Sequence, residues 1–279
     1  MAREKPIFSC AGNDNAGAQS PIPLRGTICE NLRAAKRLGY DALEIHARET
    51  IPGNLEEILQ CKCELGMEIS ALVTGRLCTE GGKCLTSRDA ENRRAALDGM
   101  RQYIRFAGAL QTDLIIGWLR GSCASGQSME EYQQTLAAAL LPLEELAAKS
   151  GVRLLIEAIN RYEINTMRTA EEILVFLDRF GLQNTYVHLD GFHMNIEEAD
   201  PAQAIRACGA RLGYYHAADN TRRYPGSGSI DFDAQMRALA EIGYRGCISL
   251  ECLPLPSGEE AARRGLAALR SSAVRAGLI

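Results

Sequence analysis

Short apolar runs alternate with amphipathic stretches along the whole chain. The apolar runs have the length and the β-branched or aromatic content of buried strands. They predict eight strands, at residues 6–10, 40–46, 67–75, 113–119, 152–158, 185–190, 212–218 and 246–252. The stretches between them repeat apolar residues at helical spacing, which predicts eight helices. These helices lie near residues 30–39, 55–66, 90–110, 130–151, 170–181, 201–209, 232–243 and 259–277.

The ends of several predicted helices carry their own sequence patterns. Three helices begin with a Ser or Thr followed three residues later by Glu, which is the spacing of a capping box: Ser128–Glu131, Thr169–Glu172 and Ser257–Glu260. Glycine stands where several helical patterns stop, at Gly39, Gly66, Gly151, Gly181 and Gly243.

Strict alternation of strands and helices predicts an α/β fold with a single (β/α)8 barrel, the TIM barrel. The 279 residues suit one such barrel, which typically needs about 250. No linker or shift in composition divides the chain, so we expect one domain over residues 1–279. A doubly wound sheet is the alternative. It rarely brings four successive strand ends to one point, because its strands fan out.

Four ligand-type residues end, or nearly end, four successive apolar runs. Glu157, Asp190, His216 and Glu251 close the runs VRLLIE, TYVHLD, LGYYH and GCISLE. Parallel strands joined by helices place all their carboxyl ends on one rim, so these side chains should converge. Three carboxylates in a partly desolvated cup would repel one another. We therefore predict that all four residues bind a divalent metal ion.

Hard oxygen ligands with one imidazole favour particular ions. They suit Mn²⁺, Mg²⁺ or Co²⁺ better than an ion that prefers thiolates. Mn²⁺ is the expected cofactor, with Mg²⁺, Co²⁺ or Zn²⁺ as alternatives. Of the other histidines, His46 ends the second strand and could line the cup. His188 shares the face of Asp190, two residues away in a strand, and is expected to be structural.

Charge and composition exclude several partners and compartments. The formal net charge of −4 and the pI near 5.7 argue against nucleic acid as a partner. The N-terminus MAREKPIFSC lacks the apolar core of a signal peptide, and Pro142 with two glutamates interrupts the most apolar stretch, residues 136–148. We expect a cytoplasmic protein without a membrane span, in which the ten cysteines are free thiols.

Four segments resemble a known family. The segments LLIEAINRYE, HLDGFHMNIEE, HAADNTRRYPGSGSIDF and ISLE resemble the sugar phosphate isomerase/epimerase family with a xylose-isomerase-like barrel. The closest group is the D-tagatose/D-psicose 3-epimerases. The resemblance implies the same four metal ligands, and it implies that Glu163, His193 and Arg222 contact the substrate. The N-terminal half resembles the superfamily only loosely.

One segment departs from the pattern of epimerases that act on free ketoses. It is IIGWLRG, after the fourth strand, which contains Trp118 and Arg120. We count both as candidate substrate-binding residues, although Trp118 also suits packing at the rim. If Arg120 faces the cup, its fixed positive fork favours a phosphate or carboxylate on the substrate.

The predicted cluster suits proton transfer next to a carbonyl. A cation that chelates a ketose carbonyl and the neighbouring hydroxyl acidifies the C–H bond between them and stabilises the enediolate. If Glu157 and Glu251 lie on opposite faces of the sugar, they form an acid/base pair and epimerise C3. A single carboxylate serving both steps would give an aldose–ketose isomerase instead.

The predicted function is therefore a metal-dependent sugar epimerase or isomerase, an enzyme of the isomerase class. Its substrate is a small carbohydrate, a ketose or keto-sugar derivative, and a homodimer or homotetramer is possible.

A metal-dependent lyase, a decarboxylase or dehydratase on a keto-sugar acid or sugar phosphate, stays open as an alternative function. A DNA-repair endonuclease of the same barrel superfamily is disfavoured, because that chemistry uses many histidines and a basic groove, and this chain has four histidines. A non-catalytic metal-binding protein is also disfavoured, since a structural site needs no extra polar side chains around an open cup.

Overall fold

The chain forms a closed barrel of eight parallel strands, as predicted. A computed structural model describes residues 4–17, 19–47 and 55–279. The strands are β1 Ile7–Asn13, β2 Ala42–His46, β3 Glu68–Val73, β4 Asp113–Ile116, β5 Leu154–Glu157, β6 Thr185–Asp190, β7 Leu212–Ala217 and β8 Cys247–Leu250. They follow one another in sequence order, and β1 pairs with β8 to close the barrel. A further two-residue strand, Leu24–Arg25, pairs with the end of β1.

Helices surround the barrel. They are α1 Ile28–Leu38, α2 Leu55–Leu65, α3 Gly75–Thr79, α4 Ala90–Leu110, α5 Met129–Lys149, α6 Ala170–Phe180, α7 Gly191–Glu197, α8 Pro201–Cys208, α9 Phe232–Glu241 and α10 Gly258–Arg275. The short helices α3 and α7 were not predicted, because five to seven residues are too few to show helical periodicity. Both follow the carboxyl end of a strand and so stand at the rim.

The predicted helix ends are largely confirmed. Ser128 and Glu131 form a complete capping box at the start of α5. Thr169 and Ser257 also cap their helices, each accepting a hydrogen bond from the backbone N–H three residues later. The glycines at the predicted stops all have positive φ, which fits a left-handed residue after a helix: Gly39, Gly66, Gly151, Gly181 and Gly243.

The interior of the barrel combines apolar layers with a chain of polar side chains. Leu155 and Ile115 belong to a buried cluster inside the barrel. Beside them Ser9 Oγ lies 2.7 Å from Ser70 Oγ, which lies 2.7 Å from the Tyr214 hydroxyl. Each of these buried groups has a partner, as buried polar groups must to avoid a desolvation penalty. This chain of hydrogen bonds leads toward the carboxyl ends of the strands.

Two further expectations concern the state of the cysteines and the presence of membrane-spanning helices. All ten cysteines are free thiols. Within residues 4–17, 19–47 and 55–279, no helix is both long enough and apolar enough to span a bilayer.

Candidate metal centre and substrate cavity

The four predicted ligands converge at the carboxyl ends of β5 to β8. Glu157 and Asp190 are the last residues of β5 and β6, His216 lies in β7, and Glu251 directly follows β8. Their ligand atoms all lie within 4.8 Å of one another, and all four residues are buried. The barrel geometry expected from the sequence thus brings the four side chains to one point.

Two atoms of this cluster lack partners in a way that suits a cation. Asp190 Oδ1 accepts a hydrogen bond of 2.8 Å from the Phe192 N–H, whereas Oδ2 is buried without a partner. His216 Nδ1 is also buried without a hydrogen-bond partner and lies 3.9 Å from Glu157 Oε1 and 3.8 Å from Glu251 Oε2. Buried polar atoms are rarely left unpaired. The four residues therefore fit a divalent metal ion.

Burial and mutual repulsion change the protonation of the metal-free cluster. Burial, and then the neighbouring Glu251, raise the pKa of Glu157 to about 8. Burial also raises the pKa of Asp190 to about 6. Burial alone would lower the pKa of His216, but the carboxylates of Glu44, Glu251 and Glu157 together outweigh it and raise the pKa to about 10. Without a metal ion, protons compensate the negative charges that the ion would otherwise balance.

Glu44, in the middle of β2, is a residue of the site that the sequence argument missed. It is fully buried, and its Oε2 lies 2.6 Å from His216 Nε2 and 2.8 Å from the Tyr214 hydroxyl. Its Oε1 lies 2.9 Å from His46 Nε2. Burial would raise the pKa of Glu44, but the two histidines hold it well below its ordinary value. The available signal was a carboxylate in the apolar run YDALEIH, on the same strand face as His46.

The other strand histidines differ in role. His46 lines the cavity, and its Nε2 lies 3.6 Å from Glu251 Oε1. Glu44, His46 and Glu251 also bring ligand-type atoms close together, but both oxygens of Glu44 are already hydrogen-bonded. His188 lies deeper, and its ring packs edge-on against His216 with 4.2 Å between the centroids. Burial lowers the pKa of His188, so the ring is neutral, which agrees with a structural role.

The three residues expected to contact substrate lie together beside the cluster. Arg222 donates to Glu163 Oε1 at 3.1 Å and to Glu251 Oε2 at 3.0 Å. Asn160 Nδ2 lies 2.7 Å from His193 Nδ1 and 3.0 Å from Glu163 Oε1. The other ring nitrogen of His193 lies 3.9 Å from both Glu157 Oε1 and Asp190 Oδ2. One hydrogen-bonded network therefore links the expected substrate contacts to the four-residue cluster.

Trp118 and Arg120 both lie in the turn after β4, but only the side chain of Trp118 lines the cavity. Trp118 lines the cavity and is 39% exposed, so it stands at the rim. Arg120 is fully buried and donates to the carbonyl oxygens of Gly117, Thr166 and Met167 at 3.1, 3.2 and 3.3 Å. It is not among the residues that line the cavity. This placement does not fit the expectation that Arg120 binds an anionic end group, because the side chain is buried away from the cavity and both terminal nitrogens donate to backbone carbonyls.

A cavity of about 690 Å³ lies over the cluster. Glu157, Glu251, His193, Arg222 and Glu163 line its inner end. Residues of the loop after β1 and of α3 also line the cavity. The cavity therefore gives a small molecule access to the four converging ligands.

A closed parallel barrel with a buried carboxylate–imidazole cluster below an open cavity defines a TIM-barrel protein with a candidate catalytic metal centre. A family model described as "Xylose isomerase-like TIM barrel" matches residues 32–272. The chain belongs to this family.

Curated relatives and a solved structure agree with the predicted reaction class. An L-ribulose 3-epimerase from Methylomonas sp. is 42% identical over 126 residues, which are 45% of this chain and 44% of that protein. That match thus spans less than half the length of the relative. A D-psicose 3-epimerase from Enterocloster bolteae is 30% identical over 227 residues, covering 79% of this chain and 75% of that protein.

The similarity in three dimensions extends over nearly the whole chain. The crystal structure of a 3-keto-D-glucoside 4-epimerase from E. coli superposes with a TM-score of 0.82 at 25% identity, covering 96% of this chain and all of that one. All three proteins are named as sugar epimerases, as the sequence argument expected of this chain.

Proposed function

We propose that this chain is a metal-dependent epimerase that acts on a ketose or keto-sugar derivative. One observation carries the proposal: two carboxylates, Glu157 and Glu251, flank Asp190 and His216 in one buried cluster at the floor of the cavity. Two carboxylates at one reacting carbon provide a base and an acid. The names of the relatives, which are epimerases of ketoses and keto-glycosides, support the same reaction class.

Glu157, Asp190, His216 and Glu251 would hold the divalent cation, with Mn²⁺ the expected ion. When bound there, such an ion supplies Lewis-acid catalysis, because it polarises a carbonyl group and offsets developing negative charge. The choice of Mn²⁺ among divalent cations rests on the set of ligands, which is three carboxylates and one imidazole.

The positions of the two glutamates suit inversion at carbon. Glu157 ends β5 and Glu251 follows β8, so two strands separate them around the barrel. They therefore reach the cavity from different sides of its floor. One carboxylate removes the proton from one face of the sugar carbon, and the other returns a proton to the opposite face. The configuration of that carbon is then inverted.

Four further residues are proposed to orient the substrate. Arg222 and Glu163 form an ion pair at 3.1 Å, with a donor and an acceptor for sugar hydroxyls beside Glu251. His193 lies between Asn160 and the cluster, where its ring nitrogen can bond a sugar oxygen. Trp118 offers an aromatic face at the rim. Arg120 is left out of the proposed substrate site because it does not line the cavity and its terminal nitrogens donate to backbone carbonyls.

We further propose a cytoplasmic enzyme that works as a homodimer or homotetramer on a small carbohydrate. The ten free thiols are typical of a reducing compartment. Gel filtration coupled to light scattering tests the assembly directly.

The reaction is tested by incubating the Mn²⁺-loaded enzyme with a panel of ketoses and keto-sugars and identifying the products. The expected product is an epimer of the substrate. An aldose as the main product would make the enzyme an aldose–ketose isomerase, and release of carbon dioxide or water would make it a lyase.

Glu157→Gln and Glu251→Gln separate proton transfer from metal binding. Each should lower turnover at saturating metal by at least about 100-fold, the typical contribution of a general acid or base. Asp190→Asn serves as the comparison, because it should mainly weaken metal affinity. Near-normal turnover in either glutamine variant at saturating Mn²⁺ would remove that residue from the acid/base pair.

A further inference from the structure

The loop that connects β7 to α9 is built around one buried carboxylate, that of Asp219. This side chain is fully buried. Its two oxygens accept hydrogen bonds of 2.9 to 3.2 Å from four backbone N–H groups of the loop, those of Asn220, Gly226, Gly228 and Ile230. A carboxylate out of contact with water needs such donors to offset its lost hydration. Asp219 thus fixes the course of the whole loop.

The carboxylate of Asp219 leaves no space for a side chain at Gly228. A Cβ atom there would overlap Asp219 Oδ1 and the side-chain oxygen of Asn220. The Asn220 oxygen is itself engaged, because it accepts a hydrogen bond of 3.0 Å from the Ser229 N–H. The absence of a side chain at Gly228 is therefore a condition for the hydrogen bonds that Asp219 accepts.

The backbone of Asp219 holds Arg222 directly. The Arg222 N–H donates to the Asp219 carbonyl at 2.7 Å, and the Asp219 N–H donates to the Arg223 carbonyl at 2.8 Å. Arg222 has a φ of 57°, in the left-handed region that favours glycine. A residue with a side chain adopts this conformation at a cost in free energy and keeps it only where the surrounding structure enforces it. The hydrogen bonds of Asp219 provide that enforcement.

The conformation of Arg222 directs its side chain to the carboxylates of the site. The guanidinium donates to Glu163 and Glu251, and its central carbon lies 4.8 Å from the centroid of the Phe192 ring. The Arg222 carbonyl accepts a hydrogen bond of 2.7 Å from the N–H of Leu253, two residues after Glu251. Both the backbone and the side chain of Arg222 are therefore bound to the segment after β8.

We propose that Asp219 is a positioning residue for the reaction: it does not line the cavity, but it sets the loop that places Arg222 against the Glu251 carboxylate and the substrate. This inference rests on the proposed epimerase function. Asp219 acts through Arg222, so its contribution to turnover should disappear when the guanidinium is absent. That dependence separates a positioning role from a general contribution to folding.

A double-mutant cycle measures the dependence, with the sugar of the panel that the wild type converts fastest. In Asp219→Asn the NH₂ group would face two backbone N–H donors, because each carboxylate oxygen accepts from two. We expect this change to lower kcat/KM at least about tenfold in the wild type but less than about threefold in Arg222→Met, since coupled residues have non-additive effects. KM should also rise, whereas a smaller folded fraction would lower kcat alone.

Asp231→Asn is the matched control. Asp231 ends the same loop, where its carboxylate accepts from one backbone N–H, that of Ala234, at the start of α9. Asn caps a helix about as well as Asp does, so this variant should keep the kcat/KM and KM of the wild type.

Gly228→Ala disturbs the same carboxylate by a different route and keeps the test valid if Asp219→Asn misfolds. Its loss of kcat/KM should likewise depend on the guanidinium of Arg222. Equal losses in the wild type and in Arg222→Met, for whichever of the two variants folds, would overturn the proposal.

Limited proteolysis gives a readout that needs no substrate. Trypsin cleaves after Arg222 and Arg223, and it can do so only when the loop opens locally. Mass spectrometry identifies the fragments that end at these residues. They should form at least about tenfold faster in Asp219→Asn than in the wild type, and at the wild-type rate in Asp231→Asn.

Failure of the proposed function gives a different result. The wild-type protein loaded with Mn²⁺ would then epimerise none of the sugars. Faster cleavage after Arg222 or Arg223 in Asp219→Asn would still support the anchoring of Arg222 by Asp219 in that case. Unchanged cleavage would overturn it.

Discussion

At the scale of single residues, Glu44 decides which nitrogen of His216 faces the cluster. Its carboxylate accepts from His216 Nε2 at 2.6 Å, which leaves Nδ1 without a hydrogen-bond partner and close to Glu157 and Glu251. A carboxylate that holds the far nitrogen of a metal-binding histidine fixes its tautomer and makes it a better ligand. Glu44 is therefore a positioning residue.

Glu44→Gln should weaken Mn²⁺ binding by about 10- to 100-fold, the usual effect of losing such a partner. The amide keeps the size of the side chain but loses the charge that favours the ligating form of His216. Calorimetric titration of the metal-free protein with Mn²⁺ measures the change. Glu68→Gln, at the exposed start of β3, is the control and should bind Mn²⁺ like the wild type. An unchanged affinity in Glu44→Gln would show that Glu44 does not support the ligand.

Some site residues could be predicted from the sequence and others could not. Glu157, Asp190, His216 and Glu251 were predictable because a parallel barrel collects strand ends on one rim. The direction of a long side chain is set by its neighbours in three dimensions. Arg120, a candidate substrate-binding residue on the sequence alone, therefore lies buried among backbone carbonyls instead.

At the scale of elements, the turn after β4 makes room for the Glu157 carboxylate. Gly117 lies between β4 and the short 3₁₀ turn Trp118–Arg120. A Cβ atom at this position would stand 2.7 Å from Glu157 Oε2, closer than van der Waals contact allows. The absence of a side chain at Gly117 is therefore a condition for the observed position of Glu157.

Gly117→Ala should displace the Glu157 carboxylate without unfolding the barrel, because the contact is with the far end of a side chain. We expect weaker Mn²⁺ binding and at least about tenfold lower kcat, with little change in thermal stability. Gly75→Ala is the matched control, since this glycine also lines the cavity but its Cβ would meet nothing within 4 Å. Equal, wild-type kinetics in both variants would contradict the steric account.

The alternating pattern gave the order of the elements, because buried strands and amphipathic helices have distinct periods. All eight strands and eight long helices formed near their predicted positions. Helices α3 and α7 did not show in the pattern, yet α3 contributes Arg76 and Thr79 to the cavity. The conformation of such short segments at the rim depends on the barrel that they pack against, so the local sequence does not reveal it.

At the scale of the whole molecule, the buried cluster should make the stability of the metal-free protein fall as pH rises. The pKa of Glu157 is raised from 4.5 to about 8, and that of His216 from 6.5 to about 10. In the folded state both groups therefore hold a proton that the unfolded chain releases at lower pH. The stabilisation that these protons provide is complete below the unfolded pKa values and is lost as pH rises through the folded ones.

Metal binding should largely remove this trend, because Mn²⁺ replaces the protons. Thermal unfolding of the metal-free protein should shift to lower temperature between pH 6 and pH 9, and saturating Mn²⁺ should remove most of the shift. Calorimetry at pH 7 in buffers of different ionisation enthalpy should detect protons released on Mn²⁺ binding. The same thermal unfolding curves with and without Mn²⁺, or Mn²⁺ binding without release of protons, would contradict the view that the cluster binds the metal.

The central claim is metal-dependent proton exchange at a sugar carbon, and exchange in D₂O tests it most directly. The Mn²⁺-loaded enzyme is incubated in D₂O with the panel of ketoses and keto-sugars, and the deuterium at each carbon is read by NMR. We predict deuterium at the inverted carbon of the substrate that reacts, loss of exchange after metal removal and recovery when Mn²⁺ is returned. Inversion without deuterium, or exchange that continues undiminished in the metal-free protein, would contradict the account.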